Sequence, residues 1–411
     1  MKYGCIGEHL SHSFSKEIHN RLADYEYEIR EVAREELCEF LSTRDFLGIN
    51  VTIPYKELVI PHLEYIDESA SRIGAVNTVV NRDGTLCGYN TDFYGMSALI
   101  CHSGITIEGS CVAILGTGGT AKTTREVCES LGAREVILVS RMASEVAIDY
   151  STLSKIGEKI DVIINTTPVG MYPNIEGAPV SLEDFPRLSG VIDSIYNPLR
   201  SELVCKAMER GIAAVGGLYM LVAQAVRASE IFLDTTYPEG VLERVYRSVL
   251  ASKENIVLIG MPASGKSTVA AIVAEALSRE LVDTDEVIIA SEGVEITDIF
   301  KKLGEEAFRN METSALRELS KRTSLVIATG GGAILRDENV RALRKNGRLF
   351  FLDRPPEKLI PTESRPLSSD REAITARYNE RYSRYLAVAD ERIDADAEPS
   401  AIANLIGEGY K

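Results

Sequence analysis

Hydrophobic residues of the chain fall into short runs that end in polar or glycine-rich clusters. Such runs lie at 111–115, 135–139 and 162–164 in the first half, and at 256–259, 280–282, 325–329 and 348–352 in the second half. Short apolar runs of this kind predict buried strands, and the stretches between them predict helices. The alternation is typical of an α/β protein whose parallel sheets are covered by helices on both faces.

The segment 260–267 reads G-M-P-A-S-G-K-S and fits the phosphate-cradling pattern G-x-x-x-x-G-K-[ST]. An apolar run precedes it and a helix-forming run, 268–276, follows it. In that context backbone N–H groups and a helix N-terminus can face the phosphates together, whereas a chance glycine turn is the alternative. The pattern predicts an ATP site formed by Gly260, Ala263, Ser264, Gly265, Lys266, Ser267 and Thr268.

A different phosphate-binding pattern lies upstream, in a predicted βαβ unit over residues 110–141. Its turn, G-T-G-G-T-A, is a variant of the dinucleotide fingerprint and joins the strand 111–115 to a helix predicted over 124–131. The second strand of the unit ends at Ser140 and Arg141, where an NAD site would place an acid; an arginine without an acid favours NADP. The turn contributes Gly116, Gly118, Gly119, Thr120 and Ala121 to this NADP site.

The composition is that of a globular chain with material for two or three domains. It has 411 residues, a net charge of −16 and a pI near 5.0, which argue against non-specific binding to nucleic acid or to an anionic membrane. No apolar run reaches membrane-spanning length, and no signal peptide is visible. The seven cysteines contain no C-x-x-C pair, so we expect reduced thiols in a cytoplasmic protein.

Four polar clusters in the first hundred residues each lie near the end of an apolar run. They are S-H-S-F-S at 11–15, N-V-T-I-P-Y-K at 50–56, A-V-N-T at 75–78 and N-T-D at 90–92. Parallel α/β sheets place ligand sites at the ends of their strands. The serines could also be helix N-caps, and each of the other clusters could be a turn.

Together, in this order and with these gaps, the four clusters resemble the shikimate dehydrogenase family, to about residue 250. The resemblance implies that Lys56 and Asp92 are the catalytic pair, since a lysine beside a carboxylate can supply a proton as hydride reaches a ketone carbon. A surface ion pair is the alternative. The implied shikimate-binding residues, besides this pair, are Ser13, Ser15, Asn50, Thr52, Asn77, Tyr196 and Gln224, with a core position as the alternative for Tyr196.

The same resemblance implies a substrate lobe over 1–101 plus 217–250, around an NADP-binding Rossmann-type domain over 102–216. Lys16 stands where the family usually has proline, and Glu145 stands where a second arginine is common. Further contacts with NADP are implied for Thr166, Met171, Gly217 and Met220.

Downstream of the phosphate loop come D-T-D at 283–285, E-A-F-R at 306–309 and G-G-G at 330–332. In this order they resemble shikimate kinase, over 253–411. The resemblance implies that Lys266 stabilises the transferring phosphoryl group, that Ser267 and Asp283 hold Mg²⁺, and that Asp285 binds the acceptor hydroxyls and takes their proton. A helix N-cap is the alternative for Asp285.

The substrate carboxylate of the kinase is assigned by the same resemblance to Arg309, Arg381, Gly331 and Gly332. The proline often found two residues after the last arginine is missing, so Arg377 or Arg384 could replace Arg381. A lid over 359–371 would bring Arg365 to the phosphates. The adenine-side arginine of the family aligns most nearly with Lys358 and is left unassigned.

The two resemblances predict one bifunctional enzyme. It would reduce 3-dehydroshikimate to shikimate with NADPH and phosphorylate shikimate to shikimate 3-phosphate with ATP. The alternatives are a non-catalytic sensor of the pathway, or an NAD-dependent quinate/shikimate dehydrogenase fused to a small-molecule kinase. Residues 251–254 would be the only linker, too short for a flexible tether.

Overall fold

The computed structural model describes residues 1–8, 10, 13–359 and 371–410. The chain divides into two compact units, Met1–Val249 and Leu250–Lys411, here called the first and the second unit. The first unit holds two six-stranded sheets and the second unit one five-stranded sheet. Within the described ranges, no helix is both long enough and apolar enough to cross a membrane.

The first sheet has the strand order β2-β1-β3-β5-β6-β4 and is mixed. Its parallel half consists of β1 (Tyr3–Gly7), β2 (Tyr27–Glu31) and β3 (Gly48–Val51), and the other half of β4 (Tyr65–Ile66), β5 (Thr78–Arg82) and β6 (Thr85–Tyr89). The helices of this part of the chain are α1 (Ser15–Leu22), α2 (Leu37–Thr43), α3 (Glu68–Ile73) and α4 (Asp92–Ser103).

The second sheet is parallel throughout and has the order β12-β11-β10-β7-β8-β9. Counted from its own first strand, this is the 3-2-1-4-5-6 order of dinucleotide-binding folds. Its strands are β7 (Cys111–Leu115), β8 (Glu135–Ser140), β9 (Ile148–Asp149), β10 (Val162–Asn165), β11 (Gly190–Asp193) and β12 (Ala213–Val215). Its helices are α5 (Gly119–Ser130), α6 (Tyr150–Lys155) and α7 (Glu202–Glu209).

One element prediction for this sheet was wrong at its start. The helix expected from Thr124 begins at Gly119, inside the glycine turn, because Gly118 already has the extended backbone of an N-cap. The prediction treated all six turn residues as loop, whereas three of them form the first helical turn. The phosphate-facing N–H groups therefore belong to a helix N-terminus.

Two helices follow the second sheet, α8 (Leu218–Leu233) and α9 (Val241–Lys253). Helix α8 packs along α4 of the first sheet, so the chain returns to its first part after the second sheet is complete. Residues 251–253 of the expected linker 251–254 form the last turn of α9. Their carbonyl groups accept hydrogen bonds from Arg279 and Ser324, which explains why the helix continues.

The third sheet forms the second unit and has the parallel order β14-β15-β13-β16-β17. The four predicted strands are confirmed as β13 (Asn255–Ile259), β14 (Glu280–Asp283), β15 (Leu325–Ala328) and β16 (Gly347–Asp353), and an edge strand β17 (Glu391–Asp394) joins them. The helices are α10 (Lys266–Leu277), α11 (Thr284–Glu292), α12 (Ile296–Leu319), α13 (Asp337–Asn346), α14 (Arg371–Val388) and α15 (Pro399–Glu408). Apolar clusters fill both faces of this sheet, as a buried parallel sheet requires.

Candidate active sites

The centre of the first candidate site is an ion pair at the start of α4. Lys56 Nζ lies 2.6 Å from Oδ2 of Asp92, and the Asp92 side chain is only 3% exposed. The other carboxylate oxygen of Asp92 accepts a hydrogen bond from Asn77 Nδ2 at 2.9 Å. The lysine side chain remains 18% exposed. This is a held ammonium group that faces solvent on one side, and not the freely exposed surface pair of the alternative.

Three predicted residues lie together at the ends of β3 and β5. The Asn50 amide donates to Thr78 Oγ1 at 3.1 Å and, more weakly, to the carbonyl of Asn77 at 3.4 Å. The hydroxyl of Tyr27 donates to Asn50 Oδ1 at 2.7 Å, which fixes the orientation of the amide. Half-buried Thr52 directly follows β3, and its N–H donates to the carbonyl of Ile6. The structure thus brings Asn50 and Asn77 into one hydrogen-bonded group with Asp92.

The two predicted serines lie at the beginning of α1. Ser13 Oγ accepts from the backbone N–H of Ser15 at 3.2 Å and donates to its hydroxyl at 3.0 Å. The N-cap residue of this helix is Phe14 and has no side-chain cap bond, so the N-cap interpretation of the serines is not what the helix shows. The ring of Tyr196 lies 5.2 Å from that of Phe14, and its hydroxyl pairs with Ser13. Burial raises the pKa of Tyr196 to about 12, which keeps the phenol protonated.

Gln224 lies on α8. It packs against α4 at Gly95, which is about one helical turn after Asp92. A Cβ atom placed on Gly95 would lie 2.6 Å from Cγ of Gln224 and 2.9 Å from the carbonyl oxygen of Met220. The missing side chain at Gly95 therefore lets the two helices approach and brings the glutamine near the start of α4.

The dinucleotide turn leaves space where a cofactor would bind. Gly116 has φ +120°. A Cβ atom placed on it would lie only 2.6 Å from the hydroxyl oxygen of Thr166, so the absence of a side chain makes room for that hydroxyl. No described atom lies within 4 Å of a Cβ placed on Gly118 or Gly119. Thr120 and buried Ala121 complete the first turn of α5. An open, uncapped helix N-terminus of this kind fits the pyrophosphate of a dinucleotide.

The residues predicted around the rest of this cofactor lie in different environments. Ser140 ends β8, its hydroxyl donates to the Met142 carbonyl, and Arg141 beside it is exposed. Met171 is 44% exposed, whereas Met220 is 5% exposed and packs in the core of the second sheet, so its predicted contact with the nicotinamide stays a prediction. Gly217 lies so close to Ser194 that a Cβ would be 2.1 Å from its carbonyl oxygen.

The second candidate site surrounds the phosphate loop between β13 and α10. Lys266 is 5% exposed, and its Nζ donates to the carbonyls of Gly260 and Met261 at 3.0 and 2.9 Å. Gly260, Ala263 and Gly265 have positive φ, and the hydroxyl of Ser264 is buried without a hydrogen-bond partner. Thr268 lies in the first turn of α10. The loop therefore has the expected shape, with backbone and side-chain donors at its centre.

The predicted metal ligands meet beside this loop. Ser267 Oγ donates to Asp283 Oδ2 at 2.9 Å, and Asp283 Oδ1 accepts the backbone N–H of Asp285 at 3.0 Å. The N-cap of α11 is consequently Asp283, and the N-cap alternative for Asp285 is wrong. Within the described ranges no cluster of three or more His, Cys, Asp or Glu side chains could hold a metal. A single hydroxyl with a nearby carboxylate fits Mg²⁺, which takes most of its ligands from nucleotide and water.

The residues predicted to bind the acceptor in the second site converge on the glycine-rich turn after β15. A Cβ on Gly330 would lie 3.0 Å from Asp285 Oδ1, and one on Gly332 would lie 2.2 Å from Nη1 of Arg309. Gly331 accepts a hydrogen bond from Arg381 at 3.1 Å, and a Cβ there would lie 2.7 Å from Pro262 of the phosphate loop. The turn thus joins the acceptor residues to the phosphate loop.

Two partly buried arginines, Arg309 and Arg381, lie at this glycine-rich turn. Burial lowers the pKa of Arg309, but Glu312 and Glu305 outweigh it, so the guanidinium stays protonated. Burial lowers the pKa of Arg381; Tyr385 opposes this effect, and the guanidinium groups of Arg309 and Arg377 add to it. Buried like charges favour binding of an anion. Arg384, one of the substitutes considered for Arg381, instead pairs with Asp337 and the carbonyl of Ile334. Arg365 lies outside the described residues.

Sequence reasoning missed Glu312 and Tyr385. Glu312 is fully buried, its Oε2 lies 2.8 Å from Arg309, and its Oε1 has no hydrogen-bond partner. Tyr385 OH donates to the carbonyl of Gly331 at 2.6 Å. Their signals were present, since Glu312 follows Arg309 by three positions and Tyr385 follows Arg381 by four, so that each pair shares a helix face.

Comparison with known proteins assigns both parts of the chain. Residues 5–79 match the model of the shikimate dehydrogenase substrate binding domain, and residues 262–410 match that of shikimate kinase. A shikimate dehydrogenase (NADP(+)) of Clostridium perfringens is 36% identical over 265 residues, which are 60% of this chain and 97% of the relative.

Two solved structures are similar to the first part. A chorismate mutase/shikimate 5-dehydrogenase fusion protein from Clostridium acetobutylicum has 35% identity and a TM-score of 0.58 over 60% of this chain and 96% of its own. Shikimate 5-dehydrogenase from Thermus thermophilus, in complex with NADP(H) and shikimate, has 27% identity and a TM-score of 0.55 over 60% of this chain and 98% of its own. The chain therefore belongs to the shikimate dehydrogenase family and carries a shikimate kinase domain at its C-terminal end.

Proposed function

We propose that the first unit reduces 3-dehydroshikimate to shikimate with NADPH, and that the second phosphorylates shikimate to shikimate 3-phosphate with ATP and Mg²⁺. The observation that carries the proposal is that one chain contains two assembled reaction centres. These are the Lys56–Asp92 pair in the first unit and the phosphate loop packed against Gly331 in the second. The product of the first reaction is the acceptor of the second.

In the reduction, Lys56 donates the proton that the ketone oxygen gains. Its Nζ is held by Asp92, and Asn77 holds the second carboxylate oxygen, so the ammonium group is oriented before substrate arrives. NADPH supplies the hydride when bound. The substrate hydroxyls and carboxylate bind to Ser13, Ser15, Asn50, Thr52, Asn77, Tyr196 and Gln224.

NADP is the proposed dinucleotide because Arg141 follows Ser140 at the end of β8 and no acid stands there. The exposed guanidinium is free to bind a 2′-phosphate at this strand end. The pyrophosphate binds at Gly118 and Gly119, and Thr166, Met171, Gly217 and Met220 lie along the rest of the cofactor.

In the phosphorylation, Asp285 orients the acceptor hydroxyl and takes its proton, while Arg309 and Arg381 bind the acceptor carboxylate. ATP supplies the phosphoryl group when bound. Lys266 neutralises charge that develops on the transferring group, and Ser267 with Asp283 positions Mg²⁺. Pro262 of the phosphate loop packs against Gly331, so the acceptor is placed beside the phosphates.

The proposed limits are 1–101 plus 217–250 for the substrate lobe, 102–216 for the NADP domain and 253–411 for the kinase. Membership of the three sheets and the return of α8 to α4 support these limits. We place the protein in the cytoplasm, where seven free cysteines stay reduced.

The test is a pair of assays on the purified chain. With 3-dehydroshikimate, we expect NADPH to give a kcat/KM at least about tenfold above that of NADH, since a 2′-phosphate gains charge-assisted hydrogen bonds. With shikimate and ATP, chelation of Mg²⁺ should abolish phosphorylation and leave ketone reduction intact. Equal use of the two dinucleotides would contradict the NADP assignment, and no phosphorylation of shikimate would contradict the kinase assignment.

Neither alternative function is favoured. A sensor that has lost catalysis would lack active groups, yet Lys56, Asp92, Lys266, Asp285 and Arg309 are all present. A quinate-preferring dehydrogenase that uses NAD would favour an acid at the end of β8. Oxidation of quinate with NAD⁺ in the same assay would revive that alternative.

A further inference from the structure

Arg354 lies over the phosphate loop of the second unit. It follows β16 directly, and its Nη1 is 3.9 Å from the point where a Cβ on Gly265 would lie. Apart from Gly265 itself, its two chain neighbours and the backbone of α10, no other described atom comes within 4 Å of that point. Gly265 has φ +93° and is the residue before α10, so a side chain there would be strained as well as close to the guanidinium.

The charge of Arg354 is not balanced by a described carboxylate. Among the described residues, its buried Nε has no hydrogen-bond partner and its side chain forms no ion pair. The adjacent carboxylate of Asp353 is occupied, since Arg392 Nη2 lies 2.8 Å from it and Tyr378 OH donates to it at 2.8 Å. A half-buried guanidinium without a counter-ion is unfavourable unless an anion binds to it.

The surroundings of Arg354 are themselves positive. The N-terminus of α10 carries the positive end of the helix dipole, and buried Lys266 is its first residue. Lys358, another cation near the end of β16, is held by both carboxylate oxygens of Asp396 at 2.6 Å. Lys358 and Arg392 are thus paired with carboxylates, whereas Arg354 pairs with none of the described ones and can bind an anionic ligand.

We propose that Arg354 binds the phosphate groups of the nucleotide, as a residue of the ATP site that the Walker-type pattern does not contain. The proposal rests on the proposed kinase function. A guanidinium presents a planar fork of donors that matches phosphate oxygens, and its place over Gly265 puts that fork at the loop that cradles them. The acceptor carboxylate has its own arginines, Arg309 and Arg381, at the glycine-rich turn.

The experiment compares the full-length protein with its Arg354→Ala and Arg354→Gln variants. Arg348→Ala is the matched control, because Arg348 lies on β16, the strand that Arg354 follows, but pairs at the surface with Glu391 at 3.0 Å. Calorimetric dissociation constants for ATP and ADP, and inhibition by adenosine, separate contacts with phosphate from contacts with the base. We expect the dissociation constants of both Arg354 variants for ATP and ADP to rise by about tenfold or more. Adenosine inhibition and the KM for shikimate should change less than about twofold, and the control should bind like the parent protein.

The outcomes distinguish the role of Arg354 from the proposed kinase function on which it rests. Unchanged affinity for ATP and ADP in a variant that folds and still reduces 3-dehydroshikimate would overturn the role of Arg354. Equal weakening of ADP and adenosine would overturn the assignment to phosphate. Failure of the parent protein to bind ATP or to phosphorylate shikimate would instead overturn the proposed kinase. If Arg354→Ala unfolds the second unit, Arg354→Gln, which retains most of the side-chain stem, decides.

Discussion

In the proposed reduction, the ammonium group of Lys56, held by Asp92, is the proton donor. Lys56→Ala removes the proton donor, so we expect the kcat for reduction of 3-dehydroshikimate to fall about 10²- to 10⁴-fold. Phosphorylation of shikimate by the same preparation should stay within about twofold, since the kinase residues lie in the other unit. The control is Lys155→Ala, an exposed lysine at the end of α6. Reduction at the parent rate would refute the role of Lys56.

In the second unit, Asp285 is the proposed base that takes the proton of the acceptor hydroxyl. Asp285→Asn keeps the shape of the side chain but removes the base, so phosphorylation should slow by about 10²- to 10⁴-fold while reduction is unaffected. Glu292→Gln, at the exposed end of the same helix, tests for a general effect of lost negative charge. If either active-site variant lost both activities while both units stayed folded, the two-site account would be wrong.

His19 should make the first unit sensitive to acid. It is 1% exposed and stacked 3.8 Å from the ring of Tyr27, and burial lowers its pKa from 6.5 to about 3, with a hydrogen bond to Asn50 opposing the shift. Below pH 6.5 the unfolded state binds a proton that the folded state does not. The free energy of unfolding therefore falls as pH drops, by up to about 1.4 kcal/mol per pH unit.

The measurement compares unfolding of the parent protein and of His19→Gln between pH 7 and 4, with intrinsic fluorescence as the signal. The stability difference between them should shrink as the pH falls. Tyr25→Phe is the control, because it removes the 2.5 Å hydrogen bond to His19 but keeps the imidazole and hence the slope. Parallel curves for the parent protein and His19→Gln would show that His19 is not the source of the slope.

Among elements, α5 connects the cofactor turn with the catalytic loop. Lys122 Nζ on this helix lies 3.1 Å from Oε1 of Glu57, the residue after Lys56. A second pair, Arg72 with Glu126, also joins this helix to α3 at 3.7 Å. These contacts hold the helix that begins at the dinucleotide turn against the part of the chain that carries Lys56, the proposed proton donor.

Charge reversal tests that connection. Exposed ion pairs contribute about 0.2–1 kcal/mol, so Glu57→Lys should lower the kcat/KM for NADPH about two- to fivefold. The double variant Glu57→Lys with Lys122→Glu should recover most of the loss, and both effects should fade in 1 M salt because of screening. A double variant no better than the singles, or an effect independent of salt, would argue against the pair.

The elements that could be predicted from the sequence were those with a strong local signal. The apolar runs of the second unit were correctly read as strands, because buried parallel strands are apolar on both faces. The start of α5 inside its glycine turn, and the last turn of α9, were missed because tertiary contacts and not local residue preference set those boundaries.

The residues of the candidate sites also fall into those that a local signal identifies and those that it does not. Residues inside compact motifs, such as Lys56, Asp92 and Lys266, could be named from the sequence. Residues that contact a site from a distant position in the sequence could not: Tyr27 orients Asn50 across 23 positions, and Arg354, directly after β16, lies near Gly265. Spacing along the chain carries no information about such contacts, because the packing of the sheet creates them.

For the whole molecule, two units with unrelated sheet orders lie on one chain, and their reactions share shikimate. The second sheet has the 3-2-1-4-5-6 order of dinucleotide-binding folds, and in the third sheet the phosphate loop follows the central strand β13. The two sheets therefore indicate separate nucleotide sites, one for a dinucleotide and one for ATP. Each activity should therefore depend on its own cofactor and substrate, and the sequence of reactions should follow from their chemistry.

The most direct test incubates the purified chain with 3-dehydroshikimate, NADPH and Mg-ATP in one tube and identifies the products by mass. We expect shikimate 3-phosphate when all components are present, shikimate alone when ATP is omitted, and neither product when NADPH is omitted. Accumulation of shikimate without its phosphate in the complete mixture would contradict the kinase half of the account. No turnover, with ligands still bound, would contradict both halves and identify the chain as a sensor.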